Sequence, residues 1–194
     1  MVFAARYGRG LLECRQCGED PRIRRYTPAD HGLQKEFFNR LSSASLYQRF
    51  MQAMVEIPPV LLQRMSDVDQ KTHVLLLAEA GTTGHRRMVG EARFVIDRCD
   101  AARCEFAISV ADEWQGRGLG RRMLACLERE ARTIGIRHIH GEILAGNNKM
   151  HALARNAGYR VRMNRNDARI VDIEKDLAMP TVRRQGTSAG LVAA

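Results

Sequence analysis

A glycine-rich segment and a carboxylate on the strand before it are the residues of this chain best suited to binding and chemistry. The segment Gln115-Gly116-Arg117-Gly118-Leu119-Gly120 lies where a strand-like run ends and a helix-like run begins. Glycine permits a sharp turn and the close approach of another molecule. The first N–H groups of a helix are free, and the positive end of its dipole attracts phosphate. The segment therefore predicts a site for a phosphorylated ligand.

The carboxylate belongs to Glu105, within the strand-like run from Arg103 to Val110. Because side chains alternate along a strand, the even-numbered residues, which are all apolar, are expected to pack on the core. Glu105 falls on the other face beside the small residues Ala107 and Ser109, which leave room for a ligand. Most carboxylates on such a face are merely solvated, but this one precedes a phosphate-ready turn on the same strand. This position makes Glu105 a candidate site residue.

The surrounding elements are expected to alternate between strands and helices. Apolar runs and period-two patterns predict strands at Arg22 to Tyr26, Thr72 to Ala78, Met88 to Ile96, Arg103 to Val110, His138 to Leu144, Tyr159 to Met163 and Ile170 to Glu174. Helical spacing predicts four helices. The first starts at Thr27-Pro28, and the second runs from Ser45 to Ala53 and is ended by Ile57-Pro58-Pro59. The third runs from the glycine segment to Gly135, and the fourth from Asn147 to Asn156. The pattern is typical of a mixed α/β fold, with a mostly antiparallel central sheet and helices on both faces.

Residues 22–178 are expected to form one domain. Residues 1–21 lack periodicity and predict a loosely ordered arm, and residues 179–194 predict a flexible tail. No apolar stretch reaches the ~20 residues of a membrane span, and five irregularly spaced cysteines favour reduced thiols in a cytoplasm. Cys14-x-x-Cys17 has the spacing of half a zinc site, but no second pair accompanies it, so no metal is expected.

The chain is basic, with 31 Lys and Arg against 22 Asp and Glu and a net charge of +9. Such a charge favours anionic partners in general: nucleic acid, anionic lipid or phosphorylated small molecules. The arginines are scattered, and no recognition motif or basic–aromatic pattern of nucleic-acid-binding proteins accompanies them. We therefore expect no nucleic acid and no membrane as partner.

The glycine segment, with the pattern Gln115-x-x-Gly118-x-Gly120, resembles the coenzyme A pyrophosphate loop of the GNAT superfamily of N-acetyltransferases. Asn147 followed by Gly158-Tyr159 resembles the second signature of that superfamily, Asn followed by Gly-Phe. The order of strands and helices from Ile23 to Leu177 is also similar to that of GNAT proteins. The resemblance implies a GNAT fold, acetyl-CoA as cosubstrate and an amine-bearing acceptor.

A narrower resemblance is to the bacterial protein lysine acetyltransferases of this superfamily. It rests on Arg22-Ile23-Arg24 with Pro28-x-Asp30, Leu41-Ser42 with Tyr47-x-Arg49-Phe50, Glu105-Phe106-Ala107, and Asn147-x-x-Met150. The resemblance implies that Glu105 is the general base and that a protein lysine is the acceptor.

The resemblance also implies which residues contact the coenzyme. Backbone N–H groups from Arg117 to Arg121 would hold the pyrophosphate, and the Asn147 side chain would contact the pantetheine arm. The Val110 N–H, at the end of the strand, is a candidate donor to the oxyanion. The full set expected at the coenzyme is Ile108, Ser109, Val110, Gln115, Gly116, Arg117, Gly118, Leu119, Gly120, Arg121 and Asn147.

One position departs from the family pattern. Many GNAT enzymes have a Tyr four residues before the Gly of Gly-Phe, where it protonates the leaving thiolate, but Ala154 stands there in this chain. The thiolate would then take its proton from water or from another group, for which Ser109 is a candidate. Two alternatives therefore stay open: transfer to a small-molecule amine, and a non-catalytic acyl-CoA-binding regulatory module. Either a monomer or a homodimer is expected.

Overall fold

Strands and helices alternate along the chain in the computed structural model, which describes residues 20–82 and 84–177. The strands are β1 (Arg22–Arg25), β2 (His73–Ala80), β3 (Arg87–Ile96), β4 (Arg103–Val110), β5 (His138–Leu144), β6 (Arg160–Met163) and β7 (Ile170–Asp176). The helices are α1 (His31–Asn39), α2 (Ser43–Phe50), α3 (Pro59–Ser66), α4 (Leu119–Thr133) and α5 (Asn148–Asn156). None of these described helices has the length and apolarity that a bilayer crossing requires.

All of these strands belong to one sheet, in the order β1-β2-β3-β4-β5-β7-β6. Every neighbouring pair is antiparallel except β4 and β5, which run parallel. A parallel pair needs a long crossover, and α4 lies in that connection. The predicted mixed, mostly antiparallel sheet is confirmed.

Helices cover both faces of the sheet, as predicted. The amphipathic α4 buries Leu124 and Leu127 in a core that it shares with Phe106 and the other apolar residues of β4. On the opposite face, α1, α2 and α3 form a second core in which Phe37 and Phe38 are fully buried. Glu105 points to this second face, at the edge of the cover that α2 provides.

Two helix boundaries differ from the sequence-based prediction. The second helix covers Ser43–Phe50 rather than 45–53, because the Ser42 Oγ caps it by accepting the Ser45 N–H at 3.2 Å. The segment at Pro58 and Pro59 does not simply end a helix: α3 begins there. Proline fits the first helical turn, where its missing N–H would have no partner.

The predicted arm (1–21) and tail (179–194) lie almost wholly outside the described residues, and so do Cys14 and Cys17. The domain boundaries therefore stay predictions. Asp20, at the start of the described chain, forms an ion pair with Arg122 on α4.

Candidate active site

A groove opens where β4 and β5 separate. The two strands pair only from Arg103 with His138 to Glu105 with His140, although β4 continues to Val110 and β5 to Leu144. The space between their free ends is a groove of about 310 Å³. Its walls come from β4 and β5, from α2 and from the start of α5.

The backbone of β4 presents its hydrogen-bonding groups to this groove. The Ala111 N–H donates to the Val89 oxygen at 3.0 Å, so the odd-numbered residues of β4 bond to β3. The Ala102 oxygen accepts from His138 at 3.0 Å, so the even-numbered residues face β5. Beyond the last β4–β5 pair, Ile108 and Val110 therefore turn their N–H and C=O groups into the groove. Ser109 turns its backbone to β3 and offers the groove only its hydroxyl.

The glycine segment forms a turn between β4 and α4. Gly116 and Gly118 have φ angles of 75° and 83°, which residues with a Cβ rarely adopt. The Arg122 N–H is bonded to the Gly118 oxygen at 3.2 Å, so the preceding N–H groups of Leu119, Gly120 and Arg121 have no partner within the helix. These three groups form the predicted phosphate-binding helix end.

Gly120 has a different role from the other two glycines. An ideal Cβ at this position would lie 3.4 Å from the Leu153 Cδ2 and 3.9 Å from the Val110 Cγ2. Its lack of a side chain brings α4 close to α5 and to β4.

The Gln115 side chain makes its contacts within the protein. Its Nε2 donates to the Val110 oxygen at 3.1 Å and to the Ser45 Oγ at 3.2 Å, and its Oε1 accepts from the Lys149 Nζ at 2.8 Å. Gln115 therefore positions the turn relative to β4, α2 and α5.

The arginines after the turn differ in what they contact. Arg117 lies over the Trp114 ring, 5.4 Å from its centroid, while Arg121 is exposed. Arg122 bonds to Asp20 and donates to the Pro21 oxygen at 3.1 Å. Its guanidinium therefore holds the segment before β1.

Glu105 is exposed and lines the groove, whereas Glu91, the other carboxylate on this face, is fully buried. Arg93 donates to both Glu91 oxygens, at 3.0 and 2.9 Å, and Gln34 donates to one of them at 2.9 Å. Burial raises the pKa of Glu91, but Arg93 and Arg49 lower it by more, so the net shift is downward. A carboxylate held in this way is a poor base, which leaves Glu105 as the candidate.

Asn147 caps α5, where its Oδ1 accepts the Met150 N–H at 3.0 Å. It also lines the groove, so its amide nitrogen is the atom suited to a coenzyme contact. Ala154 is fully buried and carries no proton donor. Tyr159 does not line the groove, and burial raises the pKa of its hydroxyl, with Glu128 adding to the shift.

The groove contains residues that the sequence did not single out as functional. Arg49 and Ser45 of α2 and Glu142 of β5 line it. Arg49 falls within the quoted Tyr47-x-Arg49-Phe50 pattern, but only the placement of α2 against β4 shows where its side chain lies. Among the described residues, no three His, Cys, Asp or Glu side chains are grouped as a metal site.

The sequence profile described as the acetyltransferase (GNAT) family matches residues 36–159. The chain belongs to the acetyltransferase (GNAT) family. An acetyltransferase of Pseudomonas aeruginosa is 31% identical over 158 residues, which cover 81% of this chain and 84% of that protein. The acetyltransferase Pat of Mycolicibacterium smegmatis is 30% identical over 112 residues, covering 58% of this chain and 33% of that longer protein.

Solved structures agree with this family. The GNAT domain of PAT from S. lividans superposes with a TM-score of 0.73 at 26% identity, over 84% of this chain and 96% of that domain. The yncA protein of Salmonella typhimurium, solved with acetyl-CoA, has a TM-score of 0.64 at 21% identity, over 82% of this chain and 95% of its own. The predicted GNAT fold and acetyltransferase class are confirmed. The individual site residues stay predictions.

Proposed function

We propose that this acetyltransferase transfers the acetyl group of acetyl-CoA to the side-chain amine of a protein lysine, with Glu105 as general base. The observation that carries the proposal is the arrangement along β4. The exposed Glu105 carboxylate and the Val110 N–H both face the groove, and the glycine turn with its free helix N–H groups follows directly.

The described residues fit coenzyme A. The N–H groups at the start of α4 suit a diphosphate, and the backbone of Ile108 and Val110 suits an extended amide chain lying along β4, as another strand would. When bound, acetyl-CoA supplies the reactive thioester. The solved neighbours from Salmonella typhimurium and Sinorhizobium meliloti contain acetyl-CoA, which supports this choice of cosubstrate.

Glu105 has the position and chemistry of the base. A lysine amine has a pKa near ~10.4 and is therefore protonated at neutral pH, so it must lose a proton before it can attack. Glu105 accepts that proton directly or through a water. The Val110 N–H then donates to the carbonyl oxygen as negative charge develops on it.

A protein acceptor is favoured by two observations. The groove is open, and Glu105 is exposed in its wall, so a lysine on the surface of another protein can reach it. The resemblance of Glu105-Phe106-Ala107 and Asn147-x-x-Met150 to the bacterial protein lysine acetyltransferases also supports a protein acceptor.

The experiment measures thiol release from acetyl-CoA with a lysine-bearing protein, with the same protein after its lysines are blocked, and with free polyamines and amino acids. We expect release and acetylated lysines only with the unblocked protein. Faster turnover of the small amines would favour the small-molecule alternative. Calorimetric binding of acetyl-CoA without release to any amine would favour the regulatory module.

A further inference from the structure

A largely buried arginine side chain faces the groove without a full set of hydrogen-bond partners. Arg49 on α2 lines the groove, and its side chain is only 16% exposed. Its Nε–H is buried and has no hydrogen-bond partner among the described residues. Its contact with Glu91, at 3.8 Å, is longer than a hydrogen bond.

Glu91 cannot fully satisfy Arg49, because its oxygens are already bonded to Arg93 and Gln34. Arg93 makes the guanidinium hydrogen bonds to Glu91, and Arg49 makes none to any carboxylate among the described residues. Burial lowers the pKa of Arg49 to about 10, a shift that Glu91 and Glu105 oppose and Arg93 reinforces. A carboxylate hydrogen-bonded to Arg49 would compensate the loss of solvation that burial causes.

Ser109 supplies a second unsatisfied group in the same groove. It lies directly opposite Glu91 in the β3–β4 register and is 8% exposed. Its Oγ is buried and has no partner in the described part of the chain. A guanidinium and a hydroxyl that both lack partners form a donor set suited to a carboxylate.

We propose that Arg49 and Ser109 bind a carboxylate carried by one of the two substrates, next to the reacting centre. This subsite rests on the proposed acyl transfer. The carboxylate has two possible sources: the far end of a dicarboxylic acyl group on coenzyme A, such as succinyl, or an acid group of the acceptor amine. Glu105, on the same face of β4, repels an anion and attracts the ammonium, so the two charges orient the substrate.

The reaction balances in the same way for either source. The acceptor nitrogen forms the new amide bond, and the thioester C–S bond breaks. The ammonium loses one proton through Glu105 before the attack and a second proton to solvent as the tetrahedral intermediate collapses, and the thiolate of coenzyme A takes up one proton from solvent. The bound carboxylate takes no part in these steps.

Two matched substrate pairs test the subsite by comparing values of kcat/KM. Succinyl-CoA and butyryl-CoA have acyl chains of equal length and differ in the terminal carboxylate, and both are tested with one amidated lysine peptide that has no acidic residue. Two amidated lysine peptides that differ only in an aspartate or an asparagine beside the lysine make the same comparison on the acceptor, with acetyl-CoA as donor. We expect the wild-type protein to have a higher kcat/KM for the anionic member of one of the two pairs. A preference in the acyl pair places the carboxylate on the acyl group, and a preference in the acceptor pair places it on the acceptor.

Arg49→Gln is expected to reduce that preference by about tenfold to a hundredfold, the range for hydrogen bonds to charged groups. Arg49→Lys keeps the charge and is expected to retain part of the preference. Ser109→Ala is expected to weaken it less, whereas a Ser109 that protonates the thiolate would lower kcat for both members equally. Arg64→Gln, which removes an exposed cation of α3 outside the groove, is the control. Circular dichroism checks that each variant is folded.

A wild-type protein that uses acetyl-CoA but ignores the carboxylate in both pairs would overturn the subsite alone. An equal effect of Arg49→Gln and of Ser109→Ala on both members of a pair would also overturn it. Failure to transfer any acyl group from coenzyme A to any amine would overturn the proposed function, and the subsite with it.

Discussion

The Gln115 side-chain amide donates a hydrogen bond to the Val110 oxygen at 3.1 Å, which ties the glycine turn back to the end of β4. Because Gln115 also bonds to Ser45 and Lys149, one side chain joins β4, α2 and α5. The Val110 N–H and the phosphate-binding turn are therefore held in a fixed relation.

Gln115→Ala is expected to raise the KM for acetyl-CoA more than it lowers kcat, because the turn loses its link to β4. The free energy of unfolding should fall by about 1.5–4.5 kcal/mol, given ~0.5–1.5 kcal/mol for each of the three hydrogen bonds that are lost. Steady-state kinetics and urea unfolding measure the two effects. Gln63→Ala, at an exposed position of α3, is the control, and a KM equal to wild type would contradict the positioning role.

Gly118 and Gly120 are expected to respond differently to substitution by alanine. Gly118 has a φ of 83°, so Gly118→Ala should cost about 1–2 kcal/mol of stability. Gly120 lies inside α4, where alanine favours the helix by up to about 1 kcal/mol and the nearest atom leaves room for a Cβ at 3.4 Å.

Calorimetry separates stability from binding in this pair. Gly118→Ala strains the turn and should weaken acetyl-CoA binding, whereas Gly120→Ala, whose added methyl group points to Leu153 and Val110, should stay folded and bind nearly as the wild type does. Unchanged affinity in a folded Gly118→Ala protein would argue against this turn as the phosphate site.

Glu91 should make stability depend on pH. Burial raises the pKa of this carboxyl, but Arg93 and Arg49 lower it by more. A carboxyl whose pKa falls on folding stabilises the protein above its unfolded pKa of about 4.3, and this stabilisation is lost as pH falls through the folded pKa. Glu91→Gln should cost about 3–5 kcal/mol at pH 7, since it leaves buried cations unpaired, and less in acid.

Urea unfolding at pH 7 and in acid measures this difference. Glu113→Gln, which removes an exposed carboxylate 3.6 Å from Arg87, should change stability little at either pH. A Glu91→Gln protein as stable as wild type at pH 7 would contradict the account of the buried network.

Local patterns were sufficient to predict the sheet, the glycine turn and the face of Glu105. Alternation along β4 and the helical spacing after Gly120 are properties of neighbouring residues, so the sequence contains them. The family resemblance supplied the prediction of the GNAT fold. The prolines at 58 and 59 were predicted only to end a helix, but proline is also common in the first turn of a helix, and α3 begins there.

The polar network could not be predicted in the same way. Glu91 and Arg93 pair within one strand, two positions apart on β3. Arg49 lies near Glu91 because α2 packs against the sheet, and Ser109 lies opposite Glu91 because of the register of β3 with β4. Such contacts join residues far apart in the chain, and no spacing in the sequence encodes them.

The pH dependence of kcat/KM for Glu105→Gln is the most direct measurement of the central claim. We expect a loss of about 10²–10⁴-fold near neutral pH, with the remaining activity rising as pH increases and more of the acceptor amine is unprotonated. Glu142→Gln, which removes another carboxylate from the groove wall, should keep most of the activity. Full activity of Glu105→Gln across the pH range would contradict the assignment of Glu105 as the base.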